Sequence, residues 1–221
     1  MSRRIRWFLG GGIALAVLAL VAGPLVHAAL QDDAPAARTV QAQPEGAALT
    51  EETDGSWTVA EGSTAGYRVD EVLNGADVAV AGTTEQVSGS LEVADGTLTE
   101  AEVTVDVASI ATDSGRRDAY FRDDVMDVTT HPTATFAVTG PVELPELSGD
   151  PQSVPVPGEL TLLGVTRPVA VELSAVRTPE GVEVSGSVPV AFADFGIEPP
   201  NLGFVRVEEN GSIELFLVLT R

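Results

Sequence analysis

From about Ser56 onward, the chain places apolar residues at every second position. The clearest rows lie in residues 103–107, 169–173 and 213–219. A period of two gives a strand one buried face and one wetter face. The pattern therefore predicts that residues 56–221 fold into a domain built almost entirely of β-strands.

Short turn signals separate these apolar rows. They are Asp95-Gly96, Gly164, Thr178–Gly181 and Asn210-Gly211. Glycine, especially next to a small polar residue, is typical of the tight turns that join antiparallel strands. Short strands joined by such turns favour an antiparallel barrel or sandwich, so the expected fold class is all-β.

One charged segment interrupts the alternation. Residues 113–128 lack the β-branched pattern until their end, and Ser114 precedes a run with helical composition. A serine in that position is a common helix cap, so the sequence predicts one short helix over residues 116–124.

The N-terminus has the composition of a membrane segment. Arg3, Arg4 and Arg6 precede an uncharged apolar run from Phe8 to about Leu30. A run of about 20 apolar residues is long enough to cross a bilayer as a helix. The arginines would remain in the cytoplasm, which places the folded domain outside it.

Residues 1–30 are therefore predicted to be a single N-terminal transmembrane helix that acts as a signal anchor. A cleaved signal peptide is the alternative, because Val26-His27-Ala28 offers small residues at a cleavage position, and the protein would then be secreted. Residues 31–55 are rich in Pro, Ala and acidic residues, which indicates a flexible linker.

Composition excludes several classes of function. Beyond residue 55 the chain has 27 acidic residues against eight arginines, a formal net charge of −19, and it has no lysine. Such a surface repels phosphate backbones, so nucleic-acid binding is not expected. The chain has no cysteine, and His131 is the one histidine of the domain. We therefore expect no metal site, no cofactor and no catalytic centre.

Seven segments, taken together in their order, resemble the YceI-like family of lipocalin-like proteins. They are Trp57–Val59, Gly66–Val69, Val87–Leu91, Val105–Ile110, His131–Phe136, Gly158–Thr166 and Phe192–Ile197. The resemblance implies an eight-stranded antiparallel lipocalin-like barrel with one short helix. It also implies a membrane-anchored member of the actinobacterial type, whose apolar lumen binds a polyisoprenoid or another long-chain lipid.

The resemblance and the apolar rows together suggest which side chains meet this lipid. Ten are expected in the lumen: Tyr67, Val103, Val105, Phe136, Val138, Leu160, Leu162, Phe192, Phe195 and Leu217. A cluster of Arg116, Arg117 and Arg122 is a candidate for the lipid headgroup, since guanidinium groups offer paired donors to phosphate or quinone oxygens. Local ion pairs with the neighbouring aspartates are the alternative for these arginines.

The apolar rows also allow a second interpretation of the barrel. Its side chains alone would fill a small barrel, and the domain would then serve as a non-catalytic structural or interaction module of the cell envelope. The first interpretation is an extracytoplasmic, membrane-tethered protein that holds one lipid, because each buried CH₂ group contributes about 0.8 kcal/mol to binding.

Overall fold

The computed structural model describes residues 34–50, 53–73, 75–201, 203 and 205–221, and β-strands dominate it. The strands are β1 (Gly55–Val59), β2 (Thr64–Leu73), β3 (Ala76–Thr84), β4 (Val87–Ala94), β5 (Thr97–Asp106), β6 (Thr133–Val138), β7 (Val142–Glu143), β8 (Gln152–Leu162), β9 (Val165–Arg177), β10 (Val182–Ala191) and β11 (Val205–Thr220). The α-helix α1 (Gly115–Tyr120) continues into a π-helical turn (Phe121–Val125), and 3₁₀ turns cover Val107–Ser109 and Phe192–Phe195.

The strands form a closed antiparallel barrel. Strand β1 pairs with β4 on one side and with β11 on the other, which joins the two ends of the sheet. Strand β2 follows β1 along β11, and it pairs with β3 as β1 pairs with β4. Strands β6 and β7 likewise follow one another along β5, so the barrel has eight antiparallel strands, three of them interrupted, and one short α-helix. This confirms the predicted fold class.

The interruption between β1 and β2 is held by a buried serine. Ser63 is 1% exposed. Its hydroxyl donates to the Ala60 carbonyl at 2.7 Å and accepts from the Val218 amide at 2.9 Å. These bonds satisfy backbone groups that the bend removes from the ladder, which buried polar groups require.

Most of the predicted turns and the helix are confirmed. Asp95-Gly96 joins β4 to β5, and Leu163-Gly164 joins β8 to β9, each with two consecutive positive φ angles. This conformation suits the twist of a two-residue hairpin. The helix begins at Gly115 after Ser114, but the Ser114 side chain makes no capping hydrogen bond.

The prediction of a hairpin turn at Asn210-Gly211 is wrong. Both residues lie inside β11, which is 16 residues long. The pairing of β11 with β2 shifts register between Val207 and Gly211, so the glycine marks a bulge. A Cβ at Gly211 would lie 2.8 Å from the Arg68 carbonyl oxygen, which explains the glycine by close backbone approach.

Residues 34–50, here called the strap, pack against the outside of the barrel. Val40 is 6% exposed and contacts Val176 and Phe216. The Val40 amide donates to the Ser185 hydroxyl at 3.1 Å, and the Arg38 guanidinium lies 3.8 Å from the Phe216 ring centroid. Composition alone, which indicated a flexible linker over 31–55, did not foresee these contacts.

The barrel has two different ends. The Trp57 end contains Trp57, the β4–β5 turn and the β9–β10 turn, while the helix end contains α1, the β2–β3 hairpin and the β8–β9 turn. The predicted transmembrane segment 1–30 lies outside the described residues. Among those that are described, no helix is both long and apolar enough to cross a membrane.

Candidate functional site: the barrel lumen

The inward faces of the strands surround an apolar cavity of about 150 Å³. Apart from Thr53 and Thr135, its lining residues are aliphatic or aromatic. The bulkiest of the lining side chains are those of Trp57, Leu91, Leu98, Phe136, Leu144, Leu147, Leu160, Leu173, Ile213, Leu215, Leu217 and Leu219. Such a wall binds hydrocarbon by the hydrophobic effect and offers a polar group little compensation for lost water.

The ten residues predicted for the lumen fall into two groups. Six line the cavity: Val103, Val105, Phe136, Val138, Leu160 and Leu217. Four lie beyond it, in apolar layers that cover the helix end: Leu162, Phe192 and Phe195 in one cluster and Tyr67 in another. All ten residues belong to apolar rows, so the two groups differ only in their position along the barrel axis.

Many lining residues were missed in the sequence. Val154 and Val156 line the cavity from β8, although prolines flank them at positions 155 and 157. Alternation in the stretch from Gln152 to Gly158 was an available signal for them. Leu144 and Leu147 come from the irregular β7–β8 connection, where no periodicity exists to reveal an inward side chain.

A glycine on the neighbouring strand lets the Phe136 ring lie against the lumen wall. Phe136 of β6 pairs with Leu160 of β8, and Gly158 lies two residues earlier on β8. A Cβ at Gly158 would lie 2.4 Å from the Phe136 Cζ atom. The missing side chain is therefore what allows the ring to lie flat against the wall.

The Trp57 end is closed by buried side chains. Trp57 is 3% exposed, and its indole nitrogen donates to the Thr53 carbonyl at 2.8 Å. The Arg177 guanidinium is also buried, at 8% exposure. It donates to the Leu147 carbonyl at 3.1 Å, to the Thr50 carbonyl at 2.7 Å and to the Thr53 hydroxyl at 2.5 Å. One side chain thus joins the strap's end, β9 and the β7–β8 connection.

The helix end is covered by α1 and the π-helical turn. The Phe121 ring stacks on Tyr67 with a centroid distance of 4.8 Å. Tyr67 lies beneath the helix, and its burial raises the pKa of the phenol to about 12, although Arg117 nearby opposes the shift. This part of the cover is thin, because it consists of a six-residue helix and one further turn.

The three arginines predicted for a headgroup have different environments. Arg117 is 2.5 Å from Asp113 and 3.6 Å from the buried carboxylate of Glu71, so it is already paired. Arg116 is exposed and Arg122 half-buried. Among the described residues, neither of these two forms an ion pair.

The histidine and the acidic residues form no metal site in the part of the chain that is described. The His131 amide donates to the Asp127 carbonyl at 2.8 Å, which closes the turn after the π-helical segment. A Cβ at Gly164 would lie 3.0 Å from the imidazole ring, so His131 packs against the β8–β9 turn. These contacts give His131 a place in the packing of the helix end.

The sequence matches the YceI-like domain over residues 57–219, well over half of the chain. A polyisoprenoid-binding domain from Saccharophagus degradans, implicated in plant cell wall breakdown, has a similar structure with a TM-score of 0.61. It is 19% identical, and the match covers 74% of this chain and 97% of that one. BcnA of Burkholderia cenocepacia is also similar, with a TM-score of 0.59, 19% identity and 72% and 96% coverage.

A curated relative, a UPF0312 protein of Pseudomonas aeruginosa, is 33% identical over 97 residues. The match covers 41% of this chain and 48% of the relative. The chain thus spans about half the length of the curated relatives it matches. The structural likenesses support the fold, and the domain match extends from within β1 to within β11. On this evidence, the chain belongs to the YceI-like family.

Proposed function

We propose that the barrel binds one long-chain isoprenoid or similar amphiphilic lipid in its lumen. The observation that carries the proposal is the lumen wall, whose side chains are all aliphatic or aromatic except those of Thr53 and Thr135. The polyisoprenoid-binding domain of Saccharophagus degradans, with the same fold, supports the class of ligand. The role is binding and not catalysis, because the described wall presents hydrocarbon to its guest.

The size of the cavity sets a condition on binding. An apolar cavity of about 150 Å³ in another protein accommodates a guest of the size of benzene. A long isoprenoid chain therefore enters only if lumen side chains move apart. Each CH₂ group that is buried contributes about 0.8 kcal/mol, so a chain of many carbons compensates for that rearrangement.

The headgroup of such a lipid would lie at the helix end. Arg116 and Arg122 are available there, whereas Arg117 is held by Asp113 and Glu71. At the Trp57 end, buried Arg177 is occupied by carbonyl and hydroxyl oxygens. Of the three predicted arginines, Arg116 and Arg122 therefore remain as candidates for binding the headgroup.

The proposal includes a position outside the cytoplasm, with residues 1–30 as a membrane tether. Its support is the sequence order of Arg3, Arg4 and Arg6 followed by the apolar run to about Leu30. Because the chain lacks cysteine, Glu180→Cys would provide a single reactive thiol in the exposed β9–β10 turn. A membrane-impermeant maleimide should label it in intact cells, and labelling only after lysis would refute this location.

Lipid binding is tested on the full chain, made in bacteria that contain long-chain isoprenoid quinones and purified in mild detergent. Native mass spectrometry should find one additional mass per chain, and organic extraction should yield an isoprenoid. If no mass accompanies the protein and an added long-chain polyprenol is not taken up, the lipid-binding proposal is wrong.

The small cavity also supports a second candidate function. A lumen of about 150 Å³ is close to being filled by its own side chains, as a structural or interaction module of the envelope would require. The two functions differ in one measurable property. A filled barrel keeps the same free energy of unfolding when polyprenol is added, whereas a lipid-binding barrel gains stability with ligand concentration.

A further inference from the structure

The strap carries the chain from one end of the barrel to the other. Thr50 lies at the Trp57 end, where its amide donates to the Thr178 carbonyl at 3.1 Å. Ala34 lies at the level of the β2–β3 hairpin, where its amide donates to the Ala79 carbonyl at 3.3 Å. The barrel therefore begins at the Trp57 end, but the chain reaches the strap from the helix end.

Contacts along the strap fix this path. The Pro35 carbonyl accepts from Arg68 at 2.5 Å, and Arg68 is itself paired with Glu214 at 2.6 Å. Val40 is buried, and Arg38 donates to the Gly62 carbonyl at 2.9 Å while lying over Phe216. Together these contacts immobilise the segment that a free linker would leave mobile.

The strap shortens the connection to the proposed tether. Only four residue steps separate Leu30 from Ala34, and an extended chain of that length spans at most about 14 Å. A free linker over residues 31–55 would instead have a mean reach of about 25–30 Å and would not favour one end of the barrel. The position of Ala34 thus decides which end lies near the bilayer.

The helix end has side chains suited to a membrane surface. Tyr120 on α1 is 39% exposed, and no other large hydrophobic side chain of the described chain is exposed. Tyrosine is enriched where membranes meet water, and guanidinium groups such as Arg116 and Arg122 hydrogen-bond to lipid phosphates. Asp123 and Asp124 are exposed on the same segment, so the short chain from Ala34 and not net charge holds this end at the bilayer.

A second cavity opens at the same end. Its volume is about 770 Å³, and it lies between the first residues of the strap, strands β2 and β3, and the loop that leads into α1. Its wall combines apolar side chains such as Val78 and Val80 with Arg68 and Arg117. Such a mixed wall suits the passage of an amphiphile.

We propose that the helix end of the barrel faces the membrane surface, so that lipid passes between the bilayer and the lumen beneath α1. This inference rests on the proposed tether. The strap sets the orientation of the barrel, because it holds Ala34 at the helix end. The Trp57 end then points away from the bilayer, about 30 Å further out according to the length and tilt of β9.

Two single-cysteine variants of the full chain test the orientation. Asp123→Cys labels the helix end and Glu180→Cys labels the Trp57 end, and each removes one exposed carboxylate. Both are labelled with an environment-sensitive fluorophore and inserted into phosphatidylcholine vesicles in which some lipids carry a nitroxide on the headgroup. Quenching at position 123 should be at least threefold stronger than at position 180.

The outcomes separate the orientation from the tether. If the protein does not float with the vesicles, the tether is wrong and the orientation falls with it. If the protein floats but the two labels are quenched equally, or position 180 more strongly, the tether stands and the orientation is wrong.

A third variant tests the strap itself. Val40→Asp places a charge among Val176 and Phe216 and should release the strap from the barrel. Flotation should be unchanged, while quenching at position 123 should fall by at least half. Arg38→Ala, a milder change on the same segment, should give a smaller fall. Quenching unaffected by either change would show that the strap does not set the orientation.

Discussion

The two ends of the barrel are closed by different means. At the Trp57 end, Trp57 and Arg177 are both less than 10% exposed, and Arg177 donates three hydrogen bonds to groups from separate segments. At the helix end, a six-residue helix and a π-helical turn lie over the barrel, and Tyr120 is exposed to solvent.

This difference indicates which end opens. Opening the Trp57 end would leave several buried polar groups without partners, which is expensive in free energy. Opening the helix end would separate the half-buried Tyr67–Phe121 stack and uncover Met126, which is 6% exposed. Segments with few buried contacts open at the lowest free energy, so lipid exchange is expected at the helix end.

The largest effect on stability is expected from removing the aromatic side chain at the Trp57 end, compared with removing one at the helix end. Trp57→Ala should lower the free energy of unfolding by about 3–5 kcal/mol, because it removes a large buried side chain. Phe121→Ala should lower it by about 1–2 kcal/mol, since its half-buried ring removes less area from water. Urea denaturation of both variants measures the difference. Equal losses would show that the ends are equally well packed.

The next effect concerns the buried guanidinium. Arg177→Met should cost about 2–3 kcal/mol of stability, because two carbonyls and a hydroxyl lose their partner inside the protein. Arg116→Met at the exposed helix end is the matched control and should change stability by no more than about 0.5 kcal/mol. Chemical denaturation of both variants measures these changes. A change near zero for Arg177→Met would mean that the hydrogen bonds of Arg177 do not close the Trp57 end.

A third prediction concerns the lumen between the two ends. Gly158→Ala places a methyl group 2.4 Å from the Phe136 ring, so the ring must move into the cavity. Overpacking should cost about 1–3 kcal/mol of stability and weaken polyprenol uptake. Gly140→Ala is the control, because a Cβ there meets nothing within 4 Å. Unchanged uptake in Gly158→Ala would place the ligand elsewhere.

The smallest effect is a pH dependence at the helix end. Burial raises the pKa of Tyr67 to about 12, against about 10 in an unfolded chain. The phenol therefore keeps its proton to a higher pH in the native state than in the unfolded chain. The contribution of Tyr67 to the free energy of unfolding is complete below pH 10 and is lost as the pH rises through 12. Tyr67→Phe should show a flatter decline of stability over this interval in urea titrations. The same slope in both proteins would mean that Tyr67 is not desolvated.

Much of the barrel could be predicted because strands have a local signature. The alternation of Val103 and Val105, and of Ile213, Leu215 and Leu217, shows the inward face directly, and these residues line the cavity. The alternation does not show how far along the barrel axis a residue lies. The sequence therefore predicts Leu162 and Phe195 in the lumen, whereas they lie beyond it at the helix end.

Other features depend on contacts that no local pattern contains. Val40 is one apolar residue in a polar segment, and only the complementary surface of Val176 and Phe216 makes it buried. Arg177 ends an apolar row in the sequence, and its buried position depends on carbonyls from distant loops. Asn210-Gly211 has the composition of a turn, but the pairing of β11 on both sides keeps it in the strand.

The most direct test of the account compares three full-length proteins by native mass spectrometry after exposure to a long-chain polyprenol. Ala101→Phe fills the lumen from β5, whereas Ala170→Phe adds the same ring on the exposed face of β9. The wild type and Ala170→Phe should each carry one polyprenol per chain, and Ala101→Phe should carry none while remaining folded by circular dichroism. Equal binding by all three proteins, or binding by none, would contradict the claim that the lumen holds the lipid.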